Sequence, residues 1–123
     1  MAKHSVILTS KPEMSYVGEK FRGDGYYGFN DGLHTVSFHV KQFTGRIYLQ
    51  ATLMDDPTED DWFNISLMVD QEFLQWGNET ETLGVTFIGN FVFLRARVDR
   101  SYLVDQNYDV ATHGVVDKVV LMI

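Results

Sequence analysis

Cysteine is absent from all 123 residues, which excludes disulfides, thiolate zinc sites and a cysteine nucleophile. Proline occurs twice, so few positions are fixed as breaks by that residue. Basic side chains are scarce: 10 Lys and Arg against 17 Asp and Glu leave a formal charge of −7. Nucleic-acid affinity comes from clustered Lys and Arg that release counterions, and the scattered cations form no such cluster, so no nucleic-acid partner is expected. The same charge repels anionic headgroups, and no apolar run approaches the ~20 residues of a membrane helix, so no membrane partner is expected. The N-terminal stretch MAKHSVILTSKPE has a short apolar run without a small-residue cleavage pattern, and no signal peptide is expected.

What is present favours strands. Hydrophobic residues make up 45% of the chain, with nine Phe, six Tyr and two Trp among abundant Val, Thr and Ile. β-branched and aromatic side chains pack well on a pleated surface. The length suits one domain, residues 1–123, with a core of modest size.

Alternation is the clearest local signal. Val36, Phe38 and Val40 share one face, while Thr35, Ser37, His39 and Lys41 share the other. After Thr44-Gly45, a turn signal, Ile47, Leu49, Ala51 and Leu53 are expected inward, completing an antiparallel hairpin. A second hairpin is expected from Leu83–Ile88 through Gly89-Asn90 into Phe91–Val98. Its Val92, Leu94, Ala96 and Val98 face the core; Arg95 and Arg97 face solvent beside Phe91 and Phe93, an apolar outer face that asks for cover by a loop or a partner. Ser5–Thr9, Phe63–Val69 and Val115–Ile123 are further strands, and the best helical stretch is Val69–Trp76. Six to eight strands with little or no helix indicate an antiparallel β-sandwich, jelly-roll-like in kind. Residues 12–33, 55–61 and 100–114 read as loops.

Chemistry is concentrated in one of these loops. DDPTEDDWF, residues 55–63, holds five carboxylates in seven positions. A calcium ion would take its oxygens from Asp55, Asp56, Asp60 and Asp61, yet the spacing lacks the turn glycine and the closing bidentate Glu of a helix-loop-helix site. The preferred reading is a solvated crossing between sheets in which Pro57 sets the turn and Trp62 and Phe63 drop into the core. Acids on one exposed loop lack the differing environments that catalytic pairs need. His34 and His39 fall on opposite strand faces and share no metal; His4 and His113 would meet only if the terminal strands bring them together. No serine elbow, phosphate loop or dinucleotide fingerprint is present. Expected are therefore no catalytic residues, no resident cofactor and no enzyme activity, with calcium the one metal left open.

The run Val36, Phe43, Thr44, Gly45, Arg46, Ile47, Leu49, Gln50, Ala51, Leu53, Pro57, Asp61, Trp62 and Phe63 resembles structural proteins of tailed bacteriophages, in particular T4-like phages of marine cyanobacteria. Residues 89–98 (GNFVFLRARV) and 114–123 (GVVDKVVLMI) continue the likeness. The resemblance implies a small non-enzymatic β-sandwich module of the virion, in neck, tail, baseplate or fibre, made in the host cytoplasm. It implies a homo-oligomer that joins other virion proteins. Contact surface would come from Phe91, Phe93, Tyr26, Tyr27, Trp76 and Tyr102. The alternative is a carbohydrate-binding module that stacks a glycan on Tyr26, Tyr27, Trp76 or Tyr102. A hydrolase acting through Asp60 and Asp61 ranks third.

Overall fold

The structure, a computed structural model, describes residues 4–23, 32–67 and 71–122. It is all-β and antiparallel: β1 (His4–Thr9), β2 (Tyr16–Val17), β3 (Phe21–Arg22), β4 (Leu33–Thr52), β5 (Phe63–Asn64), β6 (Leu74–Ile88), β7 (Phe93–Asp99) and β8 (Val115–Met122) form one sheet. A 3-10 turn, Glu59–Asp61, and a one-turn helix, α1 (Val110–His113), are the helical pieces among the described residues.

β4 organises everything else. The predicted hairpin at Thr44-Gly45 does not form; residues 33–52 are one 20-residue strand. Inward side chains run Val36, Phe38, Val40 and then Phe43, Ile47, Leu49, Ala51, so the buried set passes from even to odd numbers. One extra residue absorbs that change. From Val40 to Phe43 the strand advances three positions while β6 advances two, and Gln42 takes a positive φ of 49°. β6 answers with its own bulge between Glu79 and Trp76, where Asn78 has φ 53°. Bulges bend a strand and increase its twist.

The bend is large. Straight, twenty residues would span about 65 Å. Yet Ile88 pairs with Leu33 at one end of β4, and Phe93 pairs with Thr52 at the other. The five-residue step from Ile88 to Phe93 reaches at most about 18 Å. β4 therefore folds back on itself at its bulge, and the sheet closes over its own inner face, as a sandwich does. The core fills the fold: Phe38, Phe43, Ile47, Leu49, Leu94, Val98 and Val119 are all fully buried. Each contributes roughly 1.5–3 kcal/mol by burial.

Other expectations also change. β6 and β7 flank β4 on opposite sides, so Gly89-Asn90 links two strands that do not pair as a hairpin. The polar stretch 75–82 and the C-terminal part of the expected helix, Leu74–Trp76, are strand, because β4 offers them a ladder. The strand at 63–69 shrinks to Phe63–Asn64, although Ile65 and Leu67 reach the core; residues 68–70 lie outside the described residues. Leu53, expected inward, is 60% exposed because it lies past the end of β4. The terminal strands β1 and β8 do pair, but His4 sits opposite Met122 while His113 precedes the other end of β8, which keeps the two histidines apart.

Candidate interaction surface

The acidic loop covers β7. Thr58 donates from both its backbone N–H (2.8 Å) and its hydroxyl (3.1 Å) to Oδ2 of Asp61, which ties the turn to itself. The turn presents Glu59 to Arg95, whose Nη1 and Nη2 donate to its two carboxylate oxygens at 3.1 and 3.0 Å. Hydrogen bonding to Arg95 and then its charge hold the Glu59 carboxyl below the usual range. Arg95 Nε donates to Gln50 Oε1 at 2.8 Å, and Gln50 Nε2 donates to Asn64 Oδ1 at 3.0 Å. The guanidinium lies 4.2 Å from the Trp62 ring.

Several sequence expectations are corrected here. Arg95 is buried, not solvent-facing, because loop 55–62 folds over it. Trp62 is half-buried on that guanidinium and Phe63 is 42% exposed, so neither ring enters the core. Leu94, Ala96 and Val98 are buried as expected, while Val92 stays half-buried. Phe93 is buried and Phe91 packs against the core, so neither presents an open aromatic face. Asp55, Asp56 and Asp60 are exposed, and Glu59 and Asp61 are already engaged. Among the described residues no group of three or more His, Asp or Glu side chains converges as metal ligands do.

Beside this loop, arginines alternate with aromatic rings on the outer face. Arg46 lies between Phe73 (4.4 Å) and Tyr102 (4.1 Å) and donates from Nε to Gln75 Oε1 at 2.9 Å. Phe73 meets Tyr48 at 5.5 Å, and Arg97 lies over Tyr48 at 5.4 Å. Tyr102 is thus occupied by a protein cation on one face. Trp76 is 3% exposed, packed on Phe43, with its Nε1 donating to Glu81 at 2.6 Å; this inward-facing ring is no surface platform. Tyr26 and Tyr27 lie outside the described residues.

Two buried polar groups had no signal in the sequence. Arg100 is 1% exposed, and its guanidinium donates to the carbonyls of Thr44 (2.8 Å), Glu13 (3.0 Å), Met14 (3.5 Å), His113 (3.3 Å) and Gly114 (3.3 Å). Burial pushes its pKa down, yet an arginine stays charged, and the carbonyl dipoles replace its hydration. It ties the corner of β4 to two loops. Gly45 is the residue that lets it pass: φ is +154°, and a Cβ there would meet Phe43 and Arg100. His34 is the second: fully buried, it donates from Nε2 to the Gly89 carbonyl at 3.0 Å, and its Nδ1 has no partner. Phe87 and Phe91 rings lie 5.2 and 6.0 Å away. His39 faces the opposite side, near Ser37 and Thr82.

The outer edge of β6 is a long open feature of the described residues. Among the described residues, this 15-residue strand pairs with β4 alone. A cleft of about 450 Å³ runs beside it, lined by Phe73, Leu74, Trp76 and Leu83 with Glu79 and Glu81. At the end remote from the β4 bulge, Leu33 (56%) and Ile88 (81%) are exposed apolar side chains on paired positions. An unpaired strand edge is a template for a further strand.

No protein-family model, no curated protein and no solved structure matches this chain. The class of protein that fold and surface define is an antiparallel all-β module with a long strand edge that is unpaired among the described residues. Among the described residues no helix is long and apolar enough to cross a membrane.

Proposed function

We propose that the protein is a non-enzymatic assembly module that works by protein–protein contact, and that it serves as a structural component of a tailed-phage particle. The observation that carries the first part is the outer edge of β6, unpaired among the described residues, with exposed Leu33 and Ile88 at its end. The likeness of residues 36–63, 89–98 and 114–123 to structural proteins of T4-like cyanophages supports the second. Two acids of the 55–61 loop serve the fold: Glu59 holds Arg95 and Asp61 holds Thr58. A glycan platform loses support at Trp76, which is in the core, and at Tyr102, which Arg46 covers.

The test combines sedimentation velocity over a concentration series, with and without calcium, and mass spectrometry of purified cyanophage particles. Self-association that is independent of calcium, together with presence in the particle, is the expected result. A strict monomer that is also missing from particles would end the proposal.

A further inference from the structure

The geometry of the β6 edge specifies which atoms it offers. Gly89 N–H donates to the Gly32 carbonyl at 2.9 Å, one position beyond the Leu33–Ile88 pair. Antiparallel pairs alternate between those that exchange hydrogen bonds and those that do not. Phe87, Val85 and Leu83 therefore bond to β4 through the pairs with His34, Val36 and Phe38. Thr82, Gly84, Thr86 and Ile88 turn their N–H and C=O groups away from β4, toward the open side. The segment Thr82–Ile88 has no charge and no proline. Its own residues lack the charged side chains and proline that natural edges use against pairing, and among the described residues no strand covers it. At Gly84 a Cβ would meet nothing within 4 Å, so the approach is clear there.

We propose that two copies of this chain pair antiparallel through Thr82–Ile88 about a two-fold axis at Val85, making one continuous sheet; this rests on the assembly reading above. In that register Gly84 bonds to Thr86 of the second copy and Thr82 to Ile88, all of them outward-pointing residues. Leu83 and Phe87 then extend one inner row across the axis, and on the outer face Ile88 comes to lie between Leu33 and Thr82 of the second copy. Charge favours this antiparallel orientation of two copies over a parallel one. Glu79 and Glu81 lie at one end of the segment, so the two-fold sends the two Glu81 side chains to opposite ends, about 27 Å apart. That exceeds the Debye length of about 10 Å at 0.1 M salt. A parallel arrangement would set Glu79 and Glu81 against themselves.

Two variants test this. Val85 meets its own copy as a non-bonded pair with Cα atoms about 4.5 Å apart, a separation a disulfide spans. The chain has no other cysteine, so Val85→Cys reports without background. Val104→Cys, at a fully exposed loop position, is the control. Gly84→Pro removes an outward N–H and leaves the β4 ladder intact. Oxidised Val85→Cys is expected to run as a covalent dimer and Val104→Cys as a monomer. Gly84→Pro is expected to weaken dimerisation by about tenfold or more, with the circular-dichroism melt close to wild type. A wild-type dimer that survives Gly84→Pro and leaves Val85→Cys unlinked overturns this interface while sparing the assembly reading. A monomeric wild type at every concentration overturns the interface too, and incorporation into particles then decides the assembly reading separately.

Discussion

Arg95 and Trp62 are joined through space: the guanidinium lies 4.2 Å from the indole centroid while Glu59 grips its other edge. This relationship turns an acidic loop into a cover for β7. It also removes Trp62 from the core. Trp62→Ala should cost about 1–2 kcal/mol, as a partly buried cation–π contact does. Phe43→Ala, at a fully buried ring, should cost about 3–5 kcal/mol. Urea denaturation of both variants gives the order, and equal losses would return Trp62 to the core.

Arg100 should be among the most sensitive positions in the chain. Arg100→Ala leaves five carbonyls without their donor and empties a fully buried volume. A loss of about 3–5 kcal/mol is expected in guanidinium denaturation. Arg100→Lys should recover little of it, because a compact ammonium cannot reproduce the planar fork.

Tyr16 makes stability fall at high pH. Its hydroxyl donates to the Thr9 carbonyl at 3.0 Å, and desolvation is the leading cause that pushes its pKa up to about 12. A phenol whose folded pKa exceeds its unfolded value of about 10 stabilises the fold fully below that pH. The contribution is lost as pH rises from about 10 to 12. Tyr16→Phe should cost about 1 kcal/mol at neutral pH for the hydrogen bond. It should also flatten the fall in melting temperature between pH 9 and about 12. An unchanged alkaline slope would assign that fall to other groups.

Calcium should leave the melting temperature where it is. Asp61 is occupied by Thr58 and Glu59 by Arg95. Exposed Asp60→Asn should be close to neutral. Asp61→Asn should cost up to about 1 kcal/mol by weakening the turn. A calcium-dependent rise in melting temperature that Asp60→Asn abolishes would contradict this account of the loop.

The strands and the core were legible because alternation is a direct record of which face is buried: Val36, Phe38, Val40, Ile47, Leu49, Ala51, Leu94, Ala96 and Val98 all lie inward. The bent β4 was written there as well, in the passage from even to odd apolar positions. Thr44-Gly45 carries a turn signal, so a hairpin was the natural local reading. Deciding between a turn and a bulge takes the partner strand, and β6 supplies it from far along the chain, Glu81 opposite Val40 and Trp76 opposite Gly45. Arg95 and Arg100 were illegible for a related reason. Alternation places an arginine on a face, whereas the loop that covers it and the carbonyls that receive it come from distant segments. The edge of β6, unpaired among the described residues, is likewise a property of topology, since Thr82–Ile88 reads the same whether one neighbour or two flank it.

Amide hydrogen exchange along β6 tests the central claim most directly, because the working surface is defined atom by atom. In dilute solution Thr82, Gly84, Thr86 and Ile88 should exchange fast while Leu83, Val85 and Phe87, bonded to β4, exchange slowly. At concentrations where the protein associates, the four fast amides should become protected. If association proceeds while those amides keep exchanging as they do in dilute solution, the β6 edge is not the surface through which this protein assembles.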